Sequence, residues 1–316
     1  IDAPDGPSEP EPSDTEPALI FDLGGKFDKS FNESAYTGAE RWADDTGGSY
    51  LELEIHSEAQ REQALRRFAD TVDGPIVVTG FSFADALDTV APDYPDTPFV
   101  IVDAVVDQPN VTSYTFAEHE GAYVMGVIAA VASQTHTVGF IGGMDIPLTR
   151  RYAEAFEQGV LAQDPNAEVL VNMVGTTPAA WNDPVKGGEL ANAQMKQGAD
   201  VIFTAAGGSG VGVLQAVADA GKLSIGTDSN QNYLHPGSVL TSMLKRVDVV
   251  VERAFRDGTD IEPGNFELGF EEGALGFARN EYNDDILTRA MMRAADAAIN
   301  DIVQGAVVVE DYYDTL

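Results

Sequence analysis

From Ala18 onward, short uninterrupted apolar runs alternate with stretches in which apolar residues recur every third or fourth position. The runs ALIFDL, YLELEI, PIVVTG and PFVIVDAVV are separated by the second pattern near Phe31 to Thr46, Ser57 to Val72 and Phe83 to Ala91, and a further such stretch covers Glu118 to Ala132. A second series follows: TVGFIGG, a helical pattern near Leu148 to Gln163, AEVLVNMVG, one near Pro184 to Gln197, DVIFTAA, one near Gly210 to Ala220, then LSIGTD and SVLTSML. Short apolar runs bounded by turn residues predict strands, and the wider spacing predicts helices. Their alternation predicts βαβ units and parallel sheets, hence an α/β chain of two doubly wound units. The switch between them falls near Ser133 to His136. Length agrees, because 316 residues exceed what one core of about 150 residues accommodates. Two such units leave a crevice, and ligands of open α/β sheets bind beyond the carboxyl ends of the strands. Candidate functional residues are therefore those that follow strands.

Composition removes several functional classes. With 52 acidic against 18 basic residues the formal net charge is −34, which argues against binding a phosphate backbone. Self-repulsion of that size destabilises a compact chain unless salt screens it. At about 1 M salt the screening length shrinks to about 3 Å, so a carboxylate-rich, lysine-poor surface predicts a halophilic source. Without Cys there is no disulfide, thiolate metal site or thiol nucleophile. The four His (His56, His119, His136, His235) are scattered, none at His-x-x-x-His spacing, which gives a zinc enzyme no support. No apolar run reaches the roughly 18 residues of a membrane-spanning helix; the stretch around Ala122 to Ala132 is interrupted by Gly126. Residues Ile1 to Pro17 are Pro- and acid-rich with little to bury, which predicts a disordered tether or a frayed terminus. An acidic, Pro-rich linker ahead of an abrupt strand also fits a lipoprotein anchored at the cell surface.

The residues at the predicted strand ends carry the candidate chemistry. After the first strand comes Asp22-Leu-Gly-Gly-Lys-Phe-Asp28-Lys-Ser-Phe31-Asn32, where Gly24 and Gly25 permit a tight turn and Asp28, Ser30 and Asn32 put polar groups at a helix start. Phe31 in that polar company either stacks on a flat ligand or packs in the core. Asp103 ends a buried apolar strand, a costly place for a carboxylate unless it is paired or meets a polar ligand; capping a helix is the alternative. The turn Ala206-Gly207-Gly208-Ser209-Gly210 exposes backbone N–H groups that suit an anion or a sugar hydroxyl. It lacks G-x-G-x-x-G spacing, so it gives a dinucleotide cofactor little support, and no cofactor is expected. Asp228 and Lys245 end two strands of one sheet and either bracket vicinal hydroxyls or form a plain salt bridge. Trp181, in a loop of small residues, is a second stacking wall or a surface plug.

Taken together these residues resemble the basic membrane protein (BMP) family, the PnrA-like substrate-binding lipoproteins of ABC transporters. The family opens with D-x-G-G-x-x-D-x-S-F-N, matched from Asp22 to Asn32. Further matches are VGFIGGMDIPLTRRY (Val138 to Tyr152), GADVIFTAAGGSGVGV (Gly198 to Val213), IGTDSNQ (Ile225 to Gln231) and VLTSMLKRVD (Val239 to Asp248). The resemblance implies a type I periplasmic-binding-protein fold with three hinge crossings and a cleft between the lobes. It divides the chain into a tether (1–17), a first lobe (18–133 plus about 243–272) and a second lobe (134–242 plus about 273–316). It implies a nucleoside, most naturally a purine nucleoside, whose base lies between Phe31 and Trp181, where the family usually has Phe, and is read by Asp103. Asn32, Asp228 and Lys245 would hold the ribose, with backbone from Gly207 or Gly208; Asp22 belongs to the same set. Permease and ATPase subunits and a lipid anchor outside the cytoplasm would be its partners. Alternatives of other classes are a ligand-sensing receptor of the same fold, a binding protein for another flat heterocycle such as a flavin, and a nucleoside hydrolase. For the last, no cluster of adjacent Asp, no Ser–His spacing and no activated nucleophile stands out, so no enzyme is expected.

The charge makes a direct prediction. Melting temperature should rise steadily between about 0.1 and about 3 M KCl as carboxylate repulsion is screened; a flat profile in differential scanning calorimetry would contradict the halophilic reading.

Overall fold

The computed structural model describes residues 15–316. Along the chain the strands are β1 (Ala18–Phe21), β2 (Leu51–Glu54), β3 (Ile76–Thr79), β4 (Phe99–Val102), β5 (Val111–Phe116), β6 (Thr137–Met144), β7 (Glu168–Gly175), β8 (Val201–Ala205), β9 (Leu223–Asp228), β10 (Val239–Lys245), β11 (Gly264–Leu268) and β12 (Leu275–Phe277). The helices are α1 (Phe31–Thr46), α2 (Arg61–Ala69), α3 (Ala84–Val90), α4 (Glu118–Ala132), α5 (Pro147–Gln163), α6 (Pro184–Lys196), α7 (Gly208–Asp219), α8 (Val247–Asp257) and α9 (Arg289–Val303). The described residues form two compact units: the first holds those up to Asp22 with Ala35–Tyr114 and Asp248–Phe266, the second Leu23–Ser34, Thr115–Val247 and Glu267–Leu316.

Each unit is built on one six-stranded sheet. The first runs β11-β5-β4-β3-β1-β2 and the second β12-β10-β9-β8-β6-β7, so the same doubly wound order occurs twice. Strands β1–β5 are parallel in the first sheet and β6–β10 in the second, and β12 closes the second antiparallel to β10. Helices cover both faces of a parallel sheet, and the central strands accordingly read as unbroken apolar runs: ALIF, IVVT and FVIV are buried at every position. The edge strand β2 alternates instead, with Glu52 and Glu54 exposed. Strand order reverses between β1 and β3, and again between β6 and β8, the points where such sheets place their ligands.

Several expected boundaries move. Most of the expected tether, residues 1–14, lies outside the described residues, whereas Glu16 and Pro17 already belong to the first unit: their carbonyls accept from Gly74 (3.2 Å) and Leu51 (3.0 Å). Helix α4, expected to close the first lobe, packs on α5 and α9 in the second unit, so the crossing expected near Ser133 to His136 lies after Tyr114. Glycine explains the close packing, since a Cβ on Gly126 would overlap the Phe156 carbonyl oxygen and one on Gly159 the Tyr123 carbonyl oxygen. Strand β10 belongs whole to the second sheet, which shifts the next crossing from about residue 243 to Val247, and the return falls after Phe266 instead of about 272. The segment Leu23–Ser34, expected in the first lobe, joins the second unit through hydrogen bonds set out below.

Gly126→Ala should therefore lower stability by about 1–3 kcal/mol, the usual cost of overfilling a close helix crossing. Gly276→Ala is the control, because a Cβ there meets nothing within 4 Å. Urea unfolding of the two variants checks this, and equal midpoints would contradict the packing account.

Candidate functional site

Chain order places the ends of β6, β8, β9 and β10 along one end of the second sheet, and with them Gly143, Gly207, Asp228 and Lys245. The segment Leu23–Ser34 is bonded to this end. Ser30 Oγ donates to Asp228 Oδ2 at 2.5 Å, Ser229 Oγ to the Ser30 carbonyl at 2.8 Å, and Gln231 Nε2 to the Lys29 carbonyl at 2.9 Å. Asp28 shapes the segment from within, accepting from the amides of Ser30 (2.8 Å), Asn32 (3.0 Å) and Glu33 (3.1 Å) and so capping the start of α1. These bonds set Phe31, half-buried, at the first position of the helix and bury Asn32, whose Nδ2 donates to the Gly25 carbonyl at 3.3 Å.

Lys245 is the most constrained of the group, 2% exposed, with its ammonium 5.2 Å from the ring centre of Phe31 and 5.0 Å from that of Phe116. Cation–π attraction of this kind is worth about 0.5–2 kcal/mol per ring. Its Nζ donates to Glu118 Oε1 at 2.8 Å, and Glu118 is itself 2% exposed. Burial pushes the Asp228 carboxyl above its ordinary range, against the charge of Lys245 and the Ser30 hydroxyl bond, which hold it down. Burial also pushes Asp28 up, to about 7, against its three amide donors and helped by the charge of Asp228.

Trp181 lies on a glycine floor. A Cβ on Gly143 would overlap its six-membered ring, and one on Gly207 would come within 3.6 Å of it. Ser209 pins the loop, its hydroxyl donating to the Ala180 carbonyl (2.7 Å) and accepting from the Asp183 amide (2.6 Å). Gly207 has φ 53° and opens α7, with Gly208 against the same loop. That left-handed turn is open to glycine at little cost.

In the first unit the ends of β1, β3 and β4 bring Asp22, Gly80 and Asp103 onto one end of the sheet. Asp22 is ion-paired with Arg61 at 2.9 Å, a partner the sequence did not suggest. Asp103 has φ 70°, and its amide donates to the Tyr114 carbonyl at 2.8 Å. Asp228, on the equivalent fourth strand of the other sheet, has φ 67°. Left-handed non-glycine residues cost about 1–3 kcal/mol and collect where function over-determines them.

The structure thus gathers Phe31, Asn32, Trp181, Gly207, Gly208, Asp228 and Lys245 within the second unit, and Asp22 and Asp103 at one sheet end of the first. Sequence reasoning missed Glu118, which fixes Lys245, and Gln231, which ties the Lys29 carbonyl to β9. An acidic residue in the first turn of a helix reads as a dipole partner, and nothing local distinguishes Glu118 from that common case.

Two doubly wound α/β units with polar and aromatic groups at the strand ends suit a protein that binds a small solute. The chain belongs to the family described as ABC transporter substrate-binding protein PnrA-like, whose model matches residues 16–311. It is similar to the ABC transporter nucleoside-binding protein BmpA of Lactococcus lactis, 30% identical over 94% of this chain and 89% of that one. An uncharacterized lipoprotein of Pyrococcus furiosus is 31% identical over 82% of this chain and 69% of its own length. Among solved structures, an ABC transporter solute-binding protein from Aeropyrum pernix superposes with a TM-score of 0.85 at 27% identity, covering 93% and 94% of the two chains. Members of this class bind a solute and work with the permease and ATPase of an ABC transporter, and the match is to a family of binding proteins rather than enzymes.

Asp28 supplies a pH test. The folded protein keeps its proton up to about 7, whereas an ordinary Asp releases it near 3.8, so the stability from this group is full below 3.8 and lost as pH rises through about 7. Asp28→Asn is neutral throughout. The wild-type melting temperature should fall relative to that of Asp28→Asn between about pH 4 and about pH 7 in constant high salt and run parallel to it above that; parallel profiles throughout would contradict a protonated Asp28.

Proposed function

We propose that this protein captures a nucleoside, in the first place a purine nucleoside, outside the cytoplasm and delivers it to an ABC importer, held at the membrane by a lipid anchor. The observation that carries the reading is the end of the second sheet: a half-buried Phe31 with the Lys245 ammonium 5.2 Å from its ring, next to Asp228 in a left-handed conformation. An aromatic face beside a cation and a carboxylate suits a flat base joined to a polyhydroxylated sugar. In this reading Phe31 and Trp181 stack on the base and Asp103 accepts its N–H groups. Asp228 and Lys245 hold the ribose hydroxyls, Asn32 and the backbone at Gly207 and Gly208 add sugar contacts, and Asp22 is a further contact from its own strand end. The name of the Lactococcus relative supports the ligand class, and that of the Pyrococcus relative supports the anchor.

Titration calorimetry tests the reading. Phe31→Ala and Trp181→Ala should each weaken inosine or guanosine binding by about 1–3 kcal/mol, one stacking face apiece. Asp103→Asn keeps the shape but turns half of an acceptor into a donor, and should cost about 1.5–3 kcal/mol for bases with a matching N–H. Ribose alone binding as tightly as the nucleoside, or a flavin binding in its place, would overturn the assignment.

A further inference from the structure

We propose that Arg151, clamped by Asp311 of the C-terminal turn, is a positioning residue that sets Lys245 in place through Glu118. Arg151 is 3% exposed and every N–H of its guanidinium is used. Nε and Nη2 grip the two oxygens of Asp311 at 2.8 and 2.6 Å, Nη2 also reaches Glu267 at 2.9 Å, and Nη1 donates to the Phe116 carbonyl at 2.7 Å and to Glu118 Oε2 at 2.6 Å. A planar fork with all five donors committed has one orientation, which a flexible ammonium could not reproduce. Both carboxylate oxygens of Glu118 are then fixed as well, Oε2 by Arg151 and Oε1 by Lys245 at 2.8 Å. The Lys245 ammonium over Phe31 and Phe116 is thereby tied, through Glu118, to a residue on α5 that is remote from both rings in sequence.

The clamp comes from the far end of the sequence. Asp311 caps the last turn by accepting from the Tyr313 amide at 3.0 Å, and the Tyr313 ring lies 4.7 Å from the Arg151 guanidinium. Gln158 of α5 holds the approach to this turn, with a reciprocal pair of 2.9 Å bonds to the backbone of Glu310. Asp311 is held below the ordinary carboxylate range by the Arg151 bonds and the Tyr313 amide, although burial pushes the other way. The relay runs from the C-terminal turn through α5 and the first turn of α4 to the end of β10, entirely within the second unit.

This inference rests on the proposed role of Lys245 at the ribose, and the test separates the two. Calorimetry with inosine and with 2′,3′-dideoxyinosine gives a ratio of affinities that reports hydroxyl recognition. The ratio should fall about tenfold in Arg151→Lys and in Asp311→Asn, approaching that of Lys245→Met. Arg151→Lys added to Lys245→Met should cost the ratio nothing more. A merely structural role would lower the melting temperature and leave the ratio alone, and that result would overturn the proposal. The second readout needs no ligand: the ammonium resonance of Lys245 in 15N-lysine spectra, assigned by its loss in Lys245→Met, should shift or vanish in both variants. If the wild type does not distinguish the two nucleosides, the ribose role of Lys245 fails, and the resonance alone decides whether Arg151 positions it; an unchanged resonance overturns the relay. Should Arg151→Lys not fold, Asp311→Asn carries both measurements.

Discussion

A carboxylate sealed from water either takes up a proton or is matched by cations, and Glu118 is matched by two. Lys245 and Arg151 each donate to one of its oxygens, and all three side chains are almost wholly buried. Moving such ions out of water costs several kcal/mol apiece, so removing one partner of the set would cost about 3–5 kcal/mol and leave a bare charge behind. The group is therefore an all-or-none device. It fastens the first turn of α4 to the end of β10 and to α5, and it holds the ammonium at the end of the sheet where the polar and aromatic groups converge. Replacing the set by packed apolar residues would cost the fold little; what it fixes is the place of one positive charge.

A repeated topology places two aspartates alike, one in each unit. Asp103 and Asp228 close the fourth strand of their respective sheets, each with a φ near 70°. A left-handed residue at the end of a buried strand turns the chain sharply just after the last ladder contact, here Asp228 paired with Leu244 and the Asp103 amide bonded to the Tyr114 carbonyl. The cost is modest but real, and it recurs at both strand ends where the doubly wound order would look for a ligand. Ser30, Ser229 and Gln231 complete the arrangement on the second sheet, tying the glycine-rich loop after β1 to the loop after β9.

How much of this could be read in advance follows from burial. The central strands were legible because helices cover both faces, leaving ALIF, IVVT, FVIV and VIFTA without a polar position apart from Thr79, the last of its strand, and Thr204, the last but one. β5 was not, because VTSYTF buries Thr112 and Ser113 and so mimics a polar loop. Past β10, GNFEL is mostly exposed and LGF has only three residues, so neither forms an apolar run or an alternation, and the crossings move there for the same reason. The site divides likewise. Asp103, Asp228 and Lys245 stand out as charges that end apolar runs, and Phe31 as an aromatic in polar company. Glu118 and Arg151 look like ordinary charges near the starts of helices, and only the partner 33 residues away in sequence shows otherwise.

The central claim, that the strand-end cluster holds a nucleoside, is tested most directly by the molecule the protein carries when it is isolated in high salt without added ligand. Denaturing the purified protein and identifying what is released by mass spectrometry and ultraviolet absorption should give a nucleoside with a purine spectrum, near one per chain and absent from Phe31→Ala. Release of a bare sugar, a flavin or another solute from the wild-type protein would contradict the account.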